Sequence, residues 1–567
     1  MERKKKLILG IVLGVLLISG VTYAILTWTS DKINIGLTSN CFTIEYTKGN
    51  DINNTTINLL NEEDLISNNK FTIKEGMALT YANIGIKSSC TIEGYGILKL
   101  NVTSLSDAFT TGSSKGSLKY AVLKNTSSVN TISIDNLKNQ SFDLVTRGSI
   151  TKVGTIDIFT EQLSNSEIYK YLIVVYIDNN LTGNDVIGSS FTGNISAEAY
   201  QGKLDANYTL QRLNNLNSSI VLDTTHIPDF STVSGNNGVK KNWEDNSVIA
   251  SNQGDGTKGI YSVEDDFGTS YYFRGAVENN YVKFANYYWR IIRINGDGSV
   301  RMIYAGTSTH ANGEEETDSH IGLSEYNTNY QDNGYVGYMY GNFTTPTNCN
   351  TDESTGVTTC TGGSTSYEEA HANINNSTIK TYIDNWYNTN LSDYAYAIAD
   401  AIYCNDRSIT TVDSFAGIAL TGTGKGTETT AYSGLTRNYI SHNPTLKCIN
   451  KNDRFTVENN IGNTKLTNPV GLITSDEVVI GGLGYTNIIN LSITNTDSYL
   501  TASKYFYWTM TPFVFTHDSA GVDHVEDDGF ILGDIINYAA AVRPVVSLRA
   551  DAISGGSGTM NDPFTVG

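Results

Sequence analysis

The sequence predicts a multidomain, mainly β protein: an N-terminal transmembrane or signal helix, then a β-sandwich, then an α+β domain. Three observations carry this. The basic cluster Arg3 to Lys6 precedes an almost unbroken apolar run from Leu7 to Trp28, and a helix rising ~1.5 Å per residue crosses the ~30 Å hydrocarbon layer over such a length. Beyond it, short runs of alternating apolar and polar residues recur between Asn- and Gly-rich turns. The C-terminal half adds one strongly amphipathic helix to the same β pattern.

Basic residues on the N-terminal flank of the apolar run stay cytoplasmic, so the rest of the chain is expected outside, anchored in the membrane through residues 7–28 or released. Thr22 and Ala24 are small residues suited to signal peptidase, with cleavage after Ala24. The stretch Gly20-Val21-Thr22-Tyr23-Ala24 resembles the signal peptides of camelysin-like and biofilm-matrix-fibre proteins of Gram-positive bacteria. Residues 1–30 are therefore read as a signal peptide or an anchor.

A chain of 567 residues can bury several cores. Its net charge of −20 excludes nucleic acid as a partner, because neutralising phosphates takes Lys and Arg in excess. The cysteines fall in local pairs, Cys41 with Cys90, Cys349 with Cys360 and Cys404 with Cys448. An even number beyond a membrane reads as disulfides.

Residues 31–201 form the sandwich. Phe42, Ile44 and Tyr46 alternate with Thr43, Glu45 and Thr47; Leu98, Leu100 and Val102 alternate with Lys99, Asn101 and Thr103. Tyr171 to Ile177 is continuously apolar, as in a strand covered on both faces. Phe191, Ile195, Ala197 and Ala199 then alternate with polar neighbours. Tyr171 to Ile177, Gly183-Asn184 and Ala197-Glu198-Ala199 are similar to the last strands of the camelysin and matrix-fibre jelly roll, which implies a jelly-roll-like surface or matrix sandwich. Metallopeptidase activity described for camelysins does not carry over, since there is no H-E-x-x-H and no histidine before His226.

Residues 202–258 read as a linker, with Leu210, Leu213, Leu216 and Ile220 as a short amphipathic turn. Patterning returns over 259–567. Asn295-Gly296-Asp297-Gly298 joins Tyr287–Ile294 to Val300–Ala305, a hairpin signal preferred over a Ca²⁺ loop, whose full spacing is missing. Ser377 caps a helix over 378–391 with Ile379, Tyr382, Ile383, Trp386 and Leu391 on one face. Ala395 to Tyr403 continues helically, and Ser475 to Ile480 makes a short helix closed by Gly481-Gly482.

Tyr507-Trp508-Thr509-Met510-Thr511-Pro512 and Val542-Arg543-Pro544-Val545-Val546-Ser547-Leu548 resemble the closing strands of bacterial C-type-lectin-like domains related to formylglycine-generating enzymes. The resemblance implies a compact α+β domain with a loop-rich, ligand-binding face. Oxidase members use a cysteine pair near the end of the domain, whereas no cysteine follows Cys448 here.

The ligand-binding expectation falls on Pro512 to Ala541, read as an irregular loop whose flanks, 505–511 and 542–548, pair with each other. Phe513, Phe515, Asp518, Asp523, Glu526, Asp527 and Asp528 offer stacking area and acceptors for a sugar, a basic peptide or a cation-bridged ligand. No cofactor motif appears, and Ca²⁺ has no specific motif behind it. Tyr326, Tyr330, Tyr335, Tyr338 and Tyr340 read as β-core packing ahead of a contact surface. The leading functional expectation is adhesion or recognition of an extracellular glycan or protein by a C-terminal lectin-like module. A structural subunit of a fibre or matrix and an extracellular enzyme are the alternatives.

Overall fold

The computed structural model describes residues 25–28, 42–53, 57–88, 93–125, 132–164, 166–225, 227–228, 230, 240–241, 248–249, 258–314, 317–352, 357–415, 417–485, 498–501, 504–516, 519–527 and 529–566. The chain is mainly β and divides into two compact units, one ending at Leu204 and the other running from Asp205 to Val566. No helix among the described residues is long and apolar enough to cross a membrane. Most of the expected N-terminal helix lies outside them. Its last four residues are corrected to a strand, because the backbone of Ile25–Trp28 pairs with Ala197 to Tyr200.

The first unit is two sheets facing each other. Its main strands are β1 (Ile25–Trp28), β2 (Phe42–Lys48), β3 (Ala78–Ser88), β4 (Gly94–Leu105), β5 (Leu118–Lys124), β6 (Ser141–Ser149), β7 (Gly154–Leu163), β8 (Ile168–Asp178) and β9 (Phe191–Gln201). One sheet runs β1-β9-β4-β7 and the other β2-β3-β8-β5-β6. Their facing sides share one core, in which Leu98, Leu100 and Val102 of β4 and Ile195, Ala197 and Ala199 of β9 meet Ile173 and Val175 of β8. These are the inward positions expected from the alternation. β8 is buried along Tyr171–Asp178 on both faces, as its continuous apolar run requires. On the outer side the ring of Phe71 packs 5.4 Å from that of Tyr176, whose hydroxyl donates to Glu62.

The second unit begins with α1 (Ala206–Leu216), inside the stretch expected as a linker. Asp205 caps it by accepting from Tyr208 N. Leu210 and Leu213 are buried, Thr209 Oγ1 donates to Gly298 O at 2.6 Å, and Arg212 donates to the carbonyls of Asp551 and Ile553. Two sheets follow. The first is built from β10 (Gly259–Asp265), β11 (Gly268–Arg274), β12 (Tyr281–Phe284), β13 (Tyr287–Ile294) and β14 (Val300–Gly306), with β13 paired to β11, β12 and β14. The β13–β14 hairpin closes as expected. Gly298 sits at φ +85°, a conformation glycine adopts without strain, and Asp297 accepts from Ser299 N and Oγ.

Helices α2 (Thr378–Asn390), capped by Ser377, and α3 (Ser475–Ile480), with a complete capping box from Thr474 and Glu477, also pack in this unit. Ala395 to Tyr403 does not continue as a helix. A 3₁₀ turn over Ser392–Ala397 gives way to extended chain, because Ala399 N donates to Ser547 O and Ala397 O accepts from Arg549 N. Neighbouring strand edges satisfy the backbone groups that a helix would have satisfied internally.

The stretch expected as an irregular loop is corrected to a meander. β15 (Tyr507–Thr516), β16 (Ser519–Val525), β17 (Phe530–Ile535) and β18 (Ala539–Ala541) belong to the second sheet. The expected pairing of its flanks is also overturned, since β19 (Val545–Leu548) crosses to the first sheet and pairs with β14. Pro544 stands just before β19, where its carbonyl accepts from Tyr304 N.

Candidate functional site: a neutral groove at the start of helix α2

Among the described residues, the side chains expected to bind ligand divide between buried and exposed positions. Phe513 and Phe515 are buried in β15, the former packed against Phe415 and Tyr439. Asp523 is fully buried, with Ser475 Oγ donating at 2.6 Å and Tyr439 OH at 3.1 Å. Burial pushes its carboxyl up to about 7. Glu526 accepts from His524 Nε2 at 2.8 Å, Asp527 is exposed, and Asp518 and Asp528 lie outside the described residues. β15 is buried along Tyr507–Phe515 on both faces, so both phenylalanines are packed inside the fold.

Of the cysteines, Cys349–Cys360 and Cys404–Cys448 are disulfides, with Cα atoms 4.1 and 5.7 Å apart. Cys41 and Cys90 lie outside the described residues. Bridges of this kind form and persist in an oxidising compartment.

The cavity beside the Cys404–Cys448 bridge holds only about 30 Å³, room for a water or two. Its walls are a paired charge network. Arg293 bridges Asp265 and Glu477 at 2.7 and 2.9 Å, Arg301 meets Glu477, and Arg437 holds Asp406 and Asp476. Burial works to raise the Glu477 carboxyl, but Arg301 and Arg293 outweigh it and hold the group below its ordinary value. Buried charges satisfied by partners this close organise a fold.

Nor does the cluster of Ser308, His310 and Asp318 form a catalytic relay. Ser308 Oγ and Asp318 Oδ1 both meet the same ring nitrogen, His310 Nε2, at 3.1 and 2.6 Å, whereas a relay needs one partner on each nitrogen. Among the described residues no three His, Cys, Asp or Glu side chains come together as a metal site.

An open groove of about 440 Å³ lies over the first turns of α2, within the size range of small-ligand sites. One wall is the segment Asn327-Thr328-Asn329, the other is Asn376 to Asn385, and Tyr340 and Tyr382 contribute rings. The lining holds no Asp, Glu, Lys, Arg or His. The walls are locked together: Thr378 Oγ1 accepts from Thr328 N at 3.0 Å, and Ile379 N donates to Tyr326 O at 3.1 Å. Lys380 N donates to Ser377 Oγ, so the helix start has little donor capacity left for an anion.

Unused hydrogen-bonding capacity in the groove is amide. Asn327 is 3 % exposed and its Nδ2 has no partner among the described residues. A buried amide donor left unpaired costs about 1–3 kcal/mol, which a bound acceptor or water recovers. From sequence the tyrosines between Tyr326 and Tyr340 read as β-core packing ahead of a contact surface. Tyr326, Tyr335 and Tyr338 are indeed buried, while Tyr340 lines the groove. The Asn-Thr-Asn run beside these tyrosines was the available signal.

No family model matches the chain, and no curated protein is significantly similar to it.

Proposed function

We propose that the C-terminal unit is a recognition module whose groove at the start of α2 takes a neutral, hydroxyl-rich ligand, a glycan, and that the protein acts in adhesion outside the cytoplasm. One observation carries this reading: a ligand-sized groove without charged side chains, presenting two tyrosine rings and an unpaired buried amide. Amides donate and accept in the pattern that sugar hydroxyls match, and a phenol ring offers an apolar face with a polar edge for stacking. The two disulfides support an oxidising, extracytoplasmic setting. The likeness of the closing strands to C-type-lectin-like domains points the same way.

The first unit supports a second role as a structural subunit of a matrix. Its pairings β1–β9–β4–β7 and β3–β8–β5–β6 follow the interlocked Greek keys of a jelly roll, the fold implied by the camelysin and matrix-fibre resemblance. Polymerisation of the purified protein would separate this role from recognition alone.

The test is binding of the full chain to an array of neutral glycans, compared with the double variant Asn376→Ala, Asn385→Ala. Both side chains line the groove and are exposed, so stability should change by less than about 0.5 kcal/mol. Binding should fall at least tenfold, about 1.4 kcal/mol. Failure of the full chain to bind any glycan, or equal binding by the variant, would overturn the proposal.

A further inference from the structure

Lys380 occupies a position where the helical pattern calls for an apolar side chain. It lies in the first turn of α2 with 0 % exposure. Its Nζ donates to Asp384 Oδ2 at 2.6 Å, one turn further on, and this is the partner of Nζ among the described residues. The other oxygen of the same carboxyl accepts from Asn468 Nδ2 at 3.1 Å. Asp384 and Asn468 are 8 % and 9 % exposed. A primary amine, a carboxyl and a carboxamide from two distant parts of the chain are thus joined in a dry site, with the carboxyl between the other two.

We propose that Lys380 and Asn468 form an intramolecular isopeptide bond, with Asp384 as the proton carrier. The contact between Lys380 Nζ and Asp384 Oδ2 is the path for proton transfer from the ammonium to the carboxylate. This leaves a free amine as nucleophile. The protonated Asp384 then donates to Asn468. Which amide atom faces it is settled by the hydrogen-bond network rather than by atom identity, and a half-turn of the amide puts Oδ1 on the acid proton, polarising Cγ. Nζ attacks Cγ; the Nζ–Cγ bond forms and the Cγ–Nδ2 bond breaks. The departing nitrogen takes one proton from Nζ and leaves as ammonia, which Asp384 protonates to ammonium, regenerating the carboxylate. Atoms and charge balance with no oxidant and no co-reactant, and the Asp384 side chain keeps 12 % of its surface accessible as an exit.

The product would tie α2 to the segment around Asn468 and enclose the Cys404–Cys448 bridge within its ring. Closing a long loop covalently stabilises chiefly by restricting the unfolded chain. This inference stands independently of the groove's ligand.

The experiment is intact-mass measurement of the reduced, denatured full chain with peptide mapping. The expected result is a mass lower by one ammonia, a missed tryptic cleavage at Lys380, and a branched peptide joining residues 380 and 468. The sequence mass with separate Lys380 and Asn468 peptides would overturn the proposal, as would an ammonia loss that maps to a succinimide at an Asn-Gly step. The near-isosteric variant Asp384→Asn should show the full mass; a branched peptide persisting in it would overturn the role given to Asp384. The wild-type map decides the bond even where a variant fails to fold.

Discussion

The carboxyl of Asp523 lies fully buried between Ser475 and Tyr439, and burial pushes it up to about 7. In the unfolded chain the same group titrates near the ordinary carboxylate value of about 4. Between these two values the unfolded chain has lost the proton while the folded one keeps it, so the raised folded value contributes stability that is complete below about pH 4 and is lost as pH rises through about 7. At about 1.4 kcal/mol per unit the effect amounts to a few kcal/mol. Stability of the wild type is expected to fall from pH 5 to pH 7, and Asp523→Asn, which cannot ionise, should flatten that slope. Chemical denaturation across this range checks it; equal slopes in the two proteins would show that Asp523 is not the titrating group. From sequence the residue reads as one of the ligand acceptors of an irregular loop. Its burial follows from the apolar and β-branched neighbours Val522 and Val525, both fully buried in the same strand.

At the scale of elements, α3 joins two interactions of different strength. The Thr474 cap accepts from Glu477 N, and Glu477 returns the bond to Thr474 N while carrying Arg293 and Arg301. Thr474→Ala removes one cap acceptor and should cost about 1 kcal/mol, read as a lower urea midpoint with an unchanged slope. Glu477→Gln leaves two buried guanidinium groups undercompensated and should cost about 3–5 kcal/mol. If the two variants were equally stable, the charge network would not be holding α3 in place. The short helix and its glycine stop were legible in sequence because caps are local. The partners of Glu477 were not, because Arg293 and Arg301 lie on strands far earlier in the chain.

For the whole molecule, the division at Leu204 and Asp205 assigns α1 to the second unit. The burial of Leu210 and Leu213 and the hydrogen bonds of Thr209, Arg212 and Asn217 make this helix part of that fold. Burying one leucine side chain contributes roughly 1.5–3 kcal/mol. Residues 205–567 expressed alone should therefore unfold cooperatively, and residues 225–567 should be less stable by several kcal/mol. Calorimetry of the two fragments is the check, and an equal melting temperature would remove α1 from the fold's core.

The sequence by itself determined the mainly β character, the inward positions of β4 and β9, the two-sided burial of β8, the β13–β14 hairpin, the N-cap of α2 and the glycine stop of α3. Each of these depends on side-chain period or on residues within one turn of each other. Tertiary structure alone decided that 512–541 is a meander, that 398–403 is extended, that β15 and β19 belong to different sheets, and that Lys380, Asp384 and Asn468 meet. It also decided the groove, whose walls are held together by the bonds of Thr328 with Thr378 and of Ile379 with Tyr326 across the fold. Local pattern records which face of an element is apolar; which element covers that face, and which polar groups are buried with it, depends on long-range pairing that no short window of residues contains.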